Sequence, residues 1–444
     1  MANETVALIS LGCAKNLVNS EQVLCLLADA GYTLVSEPDG ADAVIINTCG
    51  FIDAAKSEAI DNILEMAQLK AAGRLGKIIV TGCLSERYRE EVRTELPEVD
   101  ALVGVGSFGE IVGVLRDTLA GTPKDRFGDN SAPVEEIGRY LTTGPGWAYL
   151  RIAEGCDNRC AYCAIPDIRG RFRSRPMENV LAEAADLTEA GCRELIVIAQ
   201  DITRYGTDLY GQRKLAALCR ELAKLEKLEW IRLHYLYPDE IDDALIREIA
   251  DNPKVVKYLD IPIQHINTQI LKRMNRRGSG EMIRELFARL RREIPGLVLR
   301  TSLITGLPGE GEAEFEELCG FLREARIERA GVFPYSPEEG TPAAAMTDRV
   351  DTETAQKRAE QIMELQDRIM DEFNAARVGQ TLRVLCTGFD GPYRTGRSCA
   401  DSPDIDGTVY FEGDCLPGDF AQVRITGIMD GELTGEQVKG EITQ

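Results

Sequence analysis

The chain is 444 residues long and carries 51 basic against 73 acidic side chains, a net charge of −22. It is long enough for two or three domains and too acidic to coat a nucleic acid through bulk charge. No apolar run approaches the roughly 18 residues that span a bilayer, and MANETVALIS lacks the pattern of a secretory signal, so we expect a cytoplasmic protein with no membrane partner. Short apolar runs at 5–10, 43–48, 77–82 and 101–105 predict strands, with helices over 16–30 and about 53–69. Apolar strands joined by helical crossovers predict a parallel α/β sheet. Cys13, Cys49 and Cys83 each lie just past one of the first three strands, 36 and 34 residues apart. Parallel strands end on one edge, where open α/β sheets bind ligands, so the three thiols can converge on one object. Burial as three small apolar side chains is the competing reading.

Residues 121–146 are polar, rich in Gly, Pro and Asp, and aperiodic, which predicts a linker. A second alternation follows, with strands predicted at 147–153, 194–199, 229–236, 256–263, 297–304 and 328–335. Amphipathic helices fall near 178–190, 212–226, 239–251, 279–293 and 311–325. Six successive βα-type units predict a partial six-stranded barrel. Residues 351–377 read as one long helix, and the Gly-rich, strand-like remainder as a small β-barrel. The expected class is therefore α/β. It comprises an N-terminal parallel α/β domain (1–120), a linker (121–146), a partial (β/α)6 barrel with its connecting helix (147–377) and a small antiparallel β-barrel (378–444).

Within EGCDNRCAYCAIPDIRGRFRSRP (154–176), Cys156, Cys160 and Cys163 form C-x3-C-x2-C just after the first barrel strand, at the end where βα barrels house catalysis. In a reducing compartment such a cluster reads as a metal or redox site before a disulfide. Thiolates suit iron–sulfur clusters or zinc. A four-iron cluster is usually held by four cysteines; three leave one iron open to a small molecule, as catalytic zinc sites keep a position open. A zinc knuckle would need a fourth ligand, and none lies near. The chain has only two histidines, His234 and His265, which excludes imidazole-rich chemistry by inventory.

This spacing, with Tyr162 before the last cysteine, resembles the radical S-adenosylmethionine (SAM) superfamily. The resemblance implies a 4Fe–4S cluster on Cys156, Cys160 and Cys163 as the catalytic centre, where SAM is cleaved to a hydrogen-abstracting 5′-deoxyadenosyl radical without a histidine base. It also implies SAM-binding positions: Tyr162 in the loop, Gln200 and Asp201 after the second barrel strand, Gln264 beside His265 at another strand end, and Gly306 and Gly309 in ITGLPGE. The glycines alone fit an ordinary strand-to-helix turn equally well. Arg169, Arg171, Arg173 and Arg175 alternate, so in an extended loop they would share a face. They would then either hold a carboxylate of SAM or substrate, or ion-pair within an acidic protein. His234 is expected to pack within its strand.

The whole chain is similar to the radical SAM methylthiotransferases, which join a three-cysteine α/β domain, a radical SAM barrel and a TRAM-like β-barrel. By that resemblance Cys13, Cys49 and Cys83 ligate a second 4Fe–4S cluster with one iron open to sulfur. SAM then serves twice, as methyl donor and as radical source, and the product carries –SCH3. SLGCAKNLVNSE (10–21), GVFPYSPEEGTPA (331–343) and GRSCADSPDIDGTVYF (396–411) resemble the branch that modifies the β-carbon of an aspartate in small-subunit ribosomal protein S-twelve. The alternative is the branch that modifies tRNA adenosine. Asn19, where Asp is usual, and Ser85 depart from the pattern, and neither is a ligand. An electron donor such as flavodoxin or ferredoxin and a sulfur donor are the further partners implied.

Charge gives an independent indication. Residues 378–444 hold five basic and eleven acidic side chains, a difference of −6, and few aromatics. A domain gripping tRNA should be basic and offer stacking platforms. A basic ribosomal protein suits an acidic dock, so no direct tRNA substrate is expected. The seven remaining cysteines are expected to be structural.

Overall fold

The computed structural model describes residues 4–438, so Lys439 and Glu441 of the tail's charge count lie outside the described residues. The chain forms two compact units. The first comprises Met1–Thr142, Ala153–Arg175 and Ser336–Ala344. Its parallel sheet holds β1 (Thr5–Ser10), β2 (Thr33–Val35), β3 (Ala43–Thr48), β4 (Lys77–Gly82) and β5 (Ala101–Val103), in the order β2-β1-β3-β4-β5. Helices α1 (Ala14–Asp29), α2 (Asp53–Ala71), α3 (Cys83–Arg87), α4 (Arg89–Glu95) and α5 (Ile111–Leu119) complete it. The two-residue strand period sorts side chains into two cores. Val44, Ile46, Ile78 and Val80 pack with Ala59, Ile63 and Met66 of α2. Ala43, Ile45 and Ile79 pack with Val23 and Leu27 of α1 and Ile111 and Val114 of α5. Burial on both faces is why these strands read as continuous apolar runs. β2 was not expected: it is three partly exposed residues at the sheet edge, too short to show a period.

The stretch predicted as a linker is strapped to this sheet by polar groups. Arg126 bridges Val103, and Asp125 accepts from Leu102 N at 2.8 Å and pairs with Arg93. Glu21, wholly buried, accepts from Thr142 N at 2.7 Å and ion-pairs with Arg139.

The second unit comprises Thr143–Ile152, Pro176–Tyr335 and Ala345–Gln444 and opens with β6 (Trp147–Arg151). Residues 153–175, part of the first unit, intervene as a small ribbon of β7 (Ala153–Glu154) and β8 (Arg173–Ser174) on either side of α6 (Ile165–Arg169). β9 (Glu194–Ile198), β10 (Trp230–Leu233), β11 (Val255–Asp260), β12 (Val298–Thr305) and β13 (Arg329–Pro334) then join β6 in a parallel sheet, ordered β13-β12-β11-β10-β9-β6. Between them run α7 (Met177–Glu189), α8 (Thr207–Tyr210), α9 (Leu215–Leu222), α10 (Asp243–Asp251), α11 (Thr268–Arg273), α12 (Gly280–Glu293) and α13 (Glu312–Ala325). Six sequential parallel strands with two open edges make the expected partial barrel.

After α14 (Thr352–Ala375), β14 (Thr381–Asp390), β15 (Tyr393–Ser398), β16 (Val409–Glu412), β17 (Phe420–Met429) and β18 (Glu432–Gln437) close a small barrel around Val384, Cys386, Phe411, Val423 and Leu433. Its pairs are antiparallel except β16–β18, which run parallel. Buried charges seat it on the larger sheet. Glu194 of β9 accepts from Arg232 of β10 and from Arg397 of β15, each at 2.7 Å, and Asp401 pairs with Arg329 of β13 and with Arg377. His234 lies just past β10 rather than within it, its Nε2 3.0 Å from Ser402 Oγ. Thus GRSCADSPDIDGTVYF includes a dock within the chain. Among the described residues no helix is long and apolar enough to cross a membrane.

Candidate active site

Strand register brings the first three cysteines together. Thr48 of β3 pairs with Gly82 of β4, and Ser10 of β1 with Asn47 of β3. Cys49 and Cys83 therefore leave neighbouring strands at one level, and Cys13 rises from the next at the cap of α1. Two glycines make room. Gly82 has φ +96°, and a Cβ there would lie 2.5 Å from Thr48 O; Gly12 has φ +90°, and its Cβ would lie 2.8 Å from Cβ of Cys49. Two carboxamides that sequence reasoning did not single out lace the loops. Asn16 Nδ2 donates to Leu11 O at 2.9 Å and Thr48 O at 3.0 Å, and Asn47 Nδ2 donates to Asn16 O and Ser20 Oγ, both at 2.9 Å. The signal at Asn47 was a carboxamide at the end of an otherwise apolar run, a group that must find partners once buried; Asn16, among polar neighbours, gave none.

Burial and the neighbouring Cys83 push the Cys49 thiol up to about 12, and burial raises Cys83 as well. Cys13 keeps an accessible face. Protein around it opposes ionisation, but Lys15, Arg169 and backbone N–H groups bring its thiol below the ordinary value. A thiol must lose its proton to ligate a metal, so any metal held here would be bound in competition with those protons. Among the described residues no His, Cys, Asp or Glu group is gathered as the ligands of a single ion; three thiolates are the soft donors that iron–sulfur clusters take. The donor set fits a cluster.

The C-x3-C-x2-C loop belongs to the same unit. Cys156 N donates to Gly170 O at 3.2 Å and Cys163 N to Cys160 O at 3.0 Å. Arg159 turns left-handed at φ +48°, and Asn158 N donates to the Cys156 sulfur at 3.5 Å. Cys160 and Tyr162 are buried, while Cys156 and Cys163 are half-buried. An N–H turned onto sulfur in a tightly wound loop fits thiolate ligation of iron. From this loop α6 packs Ala164 and Ile168 against Cys83.

The four arginines do not share a face, because α6 ends on Arg169 and only Arg173–Ser174 is strand. Arg169 is buried, with Nη1 3.0 Å from Glu154 Oε2 and 3.2 Å from Asn19 Oδ1, and Nη2 3.5 Å from Cys83 Sγ. Arg171 is exposed near Asp157, Arg173 donates to the carbonyls of Arg169 and Arg171, and Arg175 pairs with Glu136. Residues of GVFPYSPEEGTPA past β13 also enter this unit. Glu338, 2% exposed, pairs with Lys56 at 3.1 Å and Arg87 at 2.7 Å, and Ala343 N donates to Ala161 O at 2.8 Å, between Cys160 and Cys163.

In the second unit, Gln200 and Asp201 follow β9. Asp201 is buried, and its Oδ1 accepts from Thr203 N at 3.0 Å, closing an Asx turn. Gln264 is left-handed at φ +70° and bridges Leu303 through its backbone. His265 is buried, its Nδ1 accepting from Asn267 N at 2.9 Å and its Nε2 lying 3.5 Å from Glu310 Oε2. Gly306 N donates to Glu310 Oε1 at 3.0 Å, and a Cβ there would strike Ala355 of α14. Gly309, at φ +85°, faces the Arg273 guanidinium. Helix packing and turn geometry thus already account for both glycines. Of the seven other cysteines, five are buried, Cys25 is half-buried and Cys399 is exposed.

Three family models match in succession: an uncharacterized protein family, UPF0004, over residues 5–104, the radical SAM superfamily over 150–322, and the TRAM domain over 378–438. Among solved structures, the radical S-adenosylmethionine methyltransferase TsrM from Kitasatospora setae matches with a TM-score of 0.57 at 14% identity, covering 77% of each chain. The cobalamin-dependent radical enzyme OxsB matches at 0.51 and 14%, covering 83% of this chain and 56% of its own. At that identity the likeness concerns the fold. Ribosomal protein uS12 methylthiotransferase RimO of Caldanaerobacter subterraneus subsp. tengcongensis is 48% identical over 97% of this chain and 99% of its own. Its namesakes in Acetivibrio thermocellus and Geobacter sulfurreducens are each 48% identical, covering 98% of this chain and 98% and 99% of theirs. With near-half identity sustained along almost its full length, the chain belongs to the RimO family of ribosomal protein uS12 methylthiotransferases.

Proposed function

We propose that this chain transfers a methylthio group to the β-carbon of an aspartate in ribosomal protein uS12, with SAM as both methyl donor and radical source. In this reading Cys156, Cys160 and Cys163 hold one 4Fe–4S cluster and Cys13, Cys49 and Cys83 a second, each through three corners. When bound, such clusters supply the electron that cleaves SAM and a seat for sulfur. The observation that supports the reading is that both thiol sets belong to one compact unit, with Ala164 and Ile168, just past Cys163, packed on Cys83. Family resemblance assigns SAM contacts to Tyr162, Gln200, Asp201, Gln264, Gly306 and Gly309. The division of labour follows: 1–120 for the sulfur-bearing site, 121–146 as its strap, 147–377 for radical generation and 378–444 for docking substrate. The protein works in the cytoplasm with a flavodoxin- or ferredoxin-type reductant and a separate sulfur donor.

Surface charge supports a basic protein over tRNA as partner. Among described residues of the small barrel, the exposed charged side chains are Asp390, Asp404, Glu412, Asp414, Asp419, Asp430 and Glu436 against Arg424 alone. Arg383 and Arg397 are paired with Glu229 and Glu194. Little cation remains to neutralise phosphate, while the acidic face would steer a basic substrate. The test is mass spectrometry of uS12 and of tRNA nucleosides from cells lacking the gene. Loss of the methylthio group from uS12 alone is expected; loss from tRNA alone would contradict the reading.

A further inference from the structure

We propose that Arg169 is a positioning residue that locks the two three-cysteine loops together and sets how readily the group held by Cys13, Cys49 and Cys83 is reduced. The inference rests on the reading that those thiols hold a cluster. Arg169 closes the short helix that continues from Cys163, so its backbone belongs to the second loop, whereas its side chain serves the first. Arg169 is 2% exposed. Nη2 lies 3.5 Å from Cys83 Sγ and donates to Asn16 Oδ1, while Nη1 donates to Asn19 Oδ1 at 3.2 Å and Glu154 Oε2 at 3.0 Å. Asn16 in turn holds the carbonyls of Leu11 and Thr48, which flank Cys13 and Cys49 in sequence. One fork therefore ties the loops of all three thiols to the loop of the other three.

Two features make this more than packing. A buried cation beside thiolate ligands favours the more negative, reduced state of whatever they bind, and hydrogen bonding to the sulfur acts in the same direction. Glu154, 8% exposed, opposes it from the other side of the fork. An arginine is not deprotonated in proteins, and the Glu154 carboxylate at 3.0 Å compensates its burial, so the fork is cationic. Lysine could supply the charge as a point but not reach Cys83, Asn16 and Asn19 together.

The test uses the full-length protein with Cys156, Cys160 and Cys163 replaced by alanine, so that only the other site can carry a cluster. It is reconstituted anaerobically and titrated potentiometrically with EPR detection, and thermal melting reads folding separately. Arg169→Gln is expected to move the midpoint to more negative potential, Arg169→Lys to recover part of that shift, and Glu154→Gln to move it the opposite way. Should Arg169→Gln fail to fold, Arg169→Lys and Glu154→Gln decide the matter by their opposite signs. Unchanged potentials overturn the proposal, and so do shifts of one sign in every variant, which would report mere loosening. Failure of the parent protein to take up iron would instead overturn the cluster reading beneath it.

Discussion

Cys156, Cys160 and Cys163 fall within eight residues of one loop, whereas Cys13, Cys49 and Cys83 are gathered from three strand ends across seventy residues. Local backbone hydrogen bonds shape the first set; the second exists only while β1, β3 and β4 hold register. One site is a local motif and the other a product of tertiary structure, so they should fail under different insults. The largest effect comes from removing the thiols themselves. Alanine at Cys156, Cys160 and Cys163 should reduce 5′-deoxyadenosine formation to background. Alanine at Cys13, Cys49 and Cys83 should leave it intact while abolishing the methylthio product, both read by mass spectrometry. Loss of both activities in both variants would break the separation.

Long-range contacts sharpen the contrast. Glu21→Ala leaves Arg139 buried without its carboxylate, at a cost of about 3–5 kcal/mol. Urea unfolding should show it, and limited proteolysis should newly cut within 121–142. Gly82→Val places a branched side chain at φ +96° against Thr48, at about 3 kcal/mol from strain and crowding. Iron should fall by half while deoxyadenosine formation persists.

The seat of the small barrel is likewise assembled from distant residues, and it responds to pH. Burial alone would raise the Asp401 carboxyl, but Arg377 and Arg329 hold it at about 2. Because the folded value lies below the unfolded one, near 4, the stabilisation of about 2 kcal/mol is complete above pH 4 and is lost as pH falls toward 2. Asp401→Asn should flatten the stability–pH curve in that window. The smallest effect is expected on the surface. Asp414→Lys with Glu436→Lys should slow association with uS12 a few-fold at low salt and not at high salt.

The same contrast explains what the sequence revealed. Strands β1, β3 and β4 end where their apolar runs end because both faces are buried, and that placed all three scattered cysteines correctly. The strap over 125–142 was hidden because Asp125 and Glu21 hold it through charge, which leaves no periodic trace. Alternation suggested an extended arginine face, but short α6, entered through Pro166, turns Arg169 inward. Glu338 could not be placed from its neighbours in sequence, since its partners Lys56 and Arg87 lie some 250 to 280 positions away. The parallel β16–β18 pair was illegible for a similar reason: short strands disclose their existence before their partners.

Iron and Mössbauer analysis of the anaerobically reconstituted wild-type protein tests the central claim most directly. The account predicts about eight irons in two 4Fe–4S clusters, and half that iron when either cysteine set is removed. A single cluster in the wild type, lost with one set and untouched by the other, would contradict it.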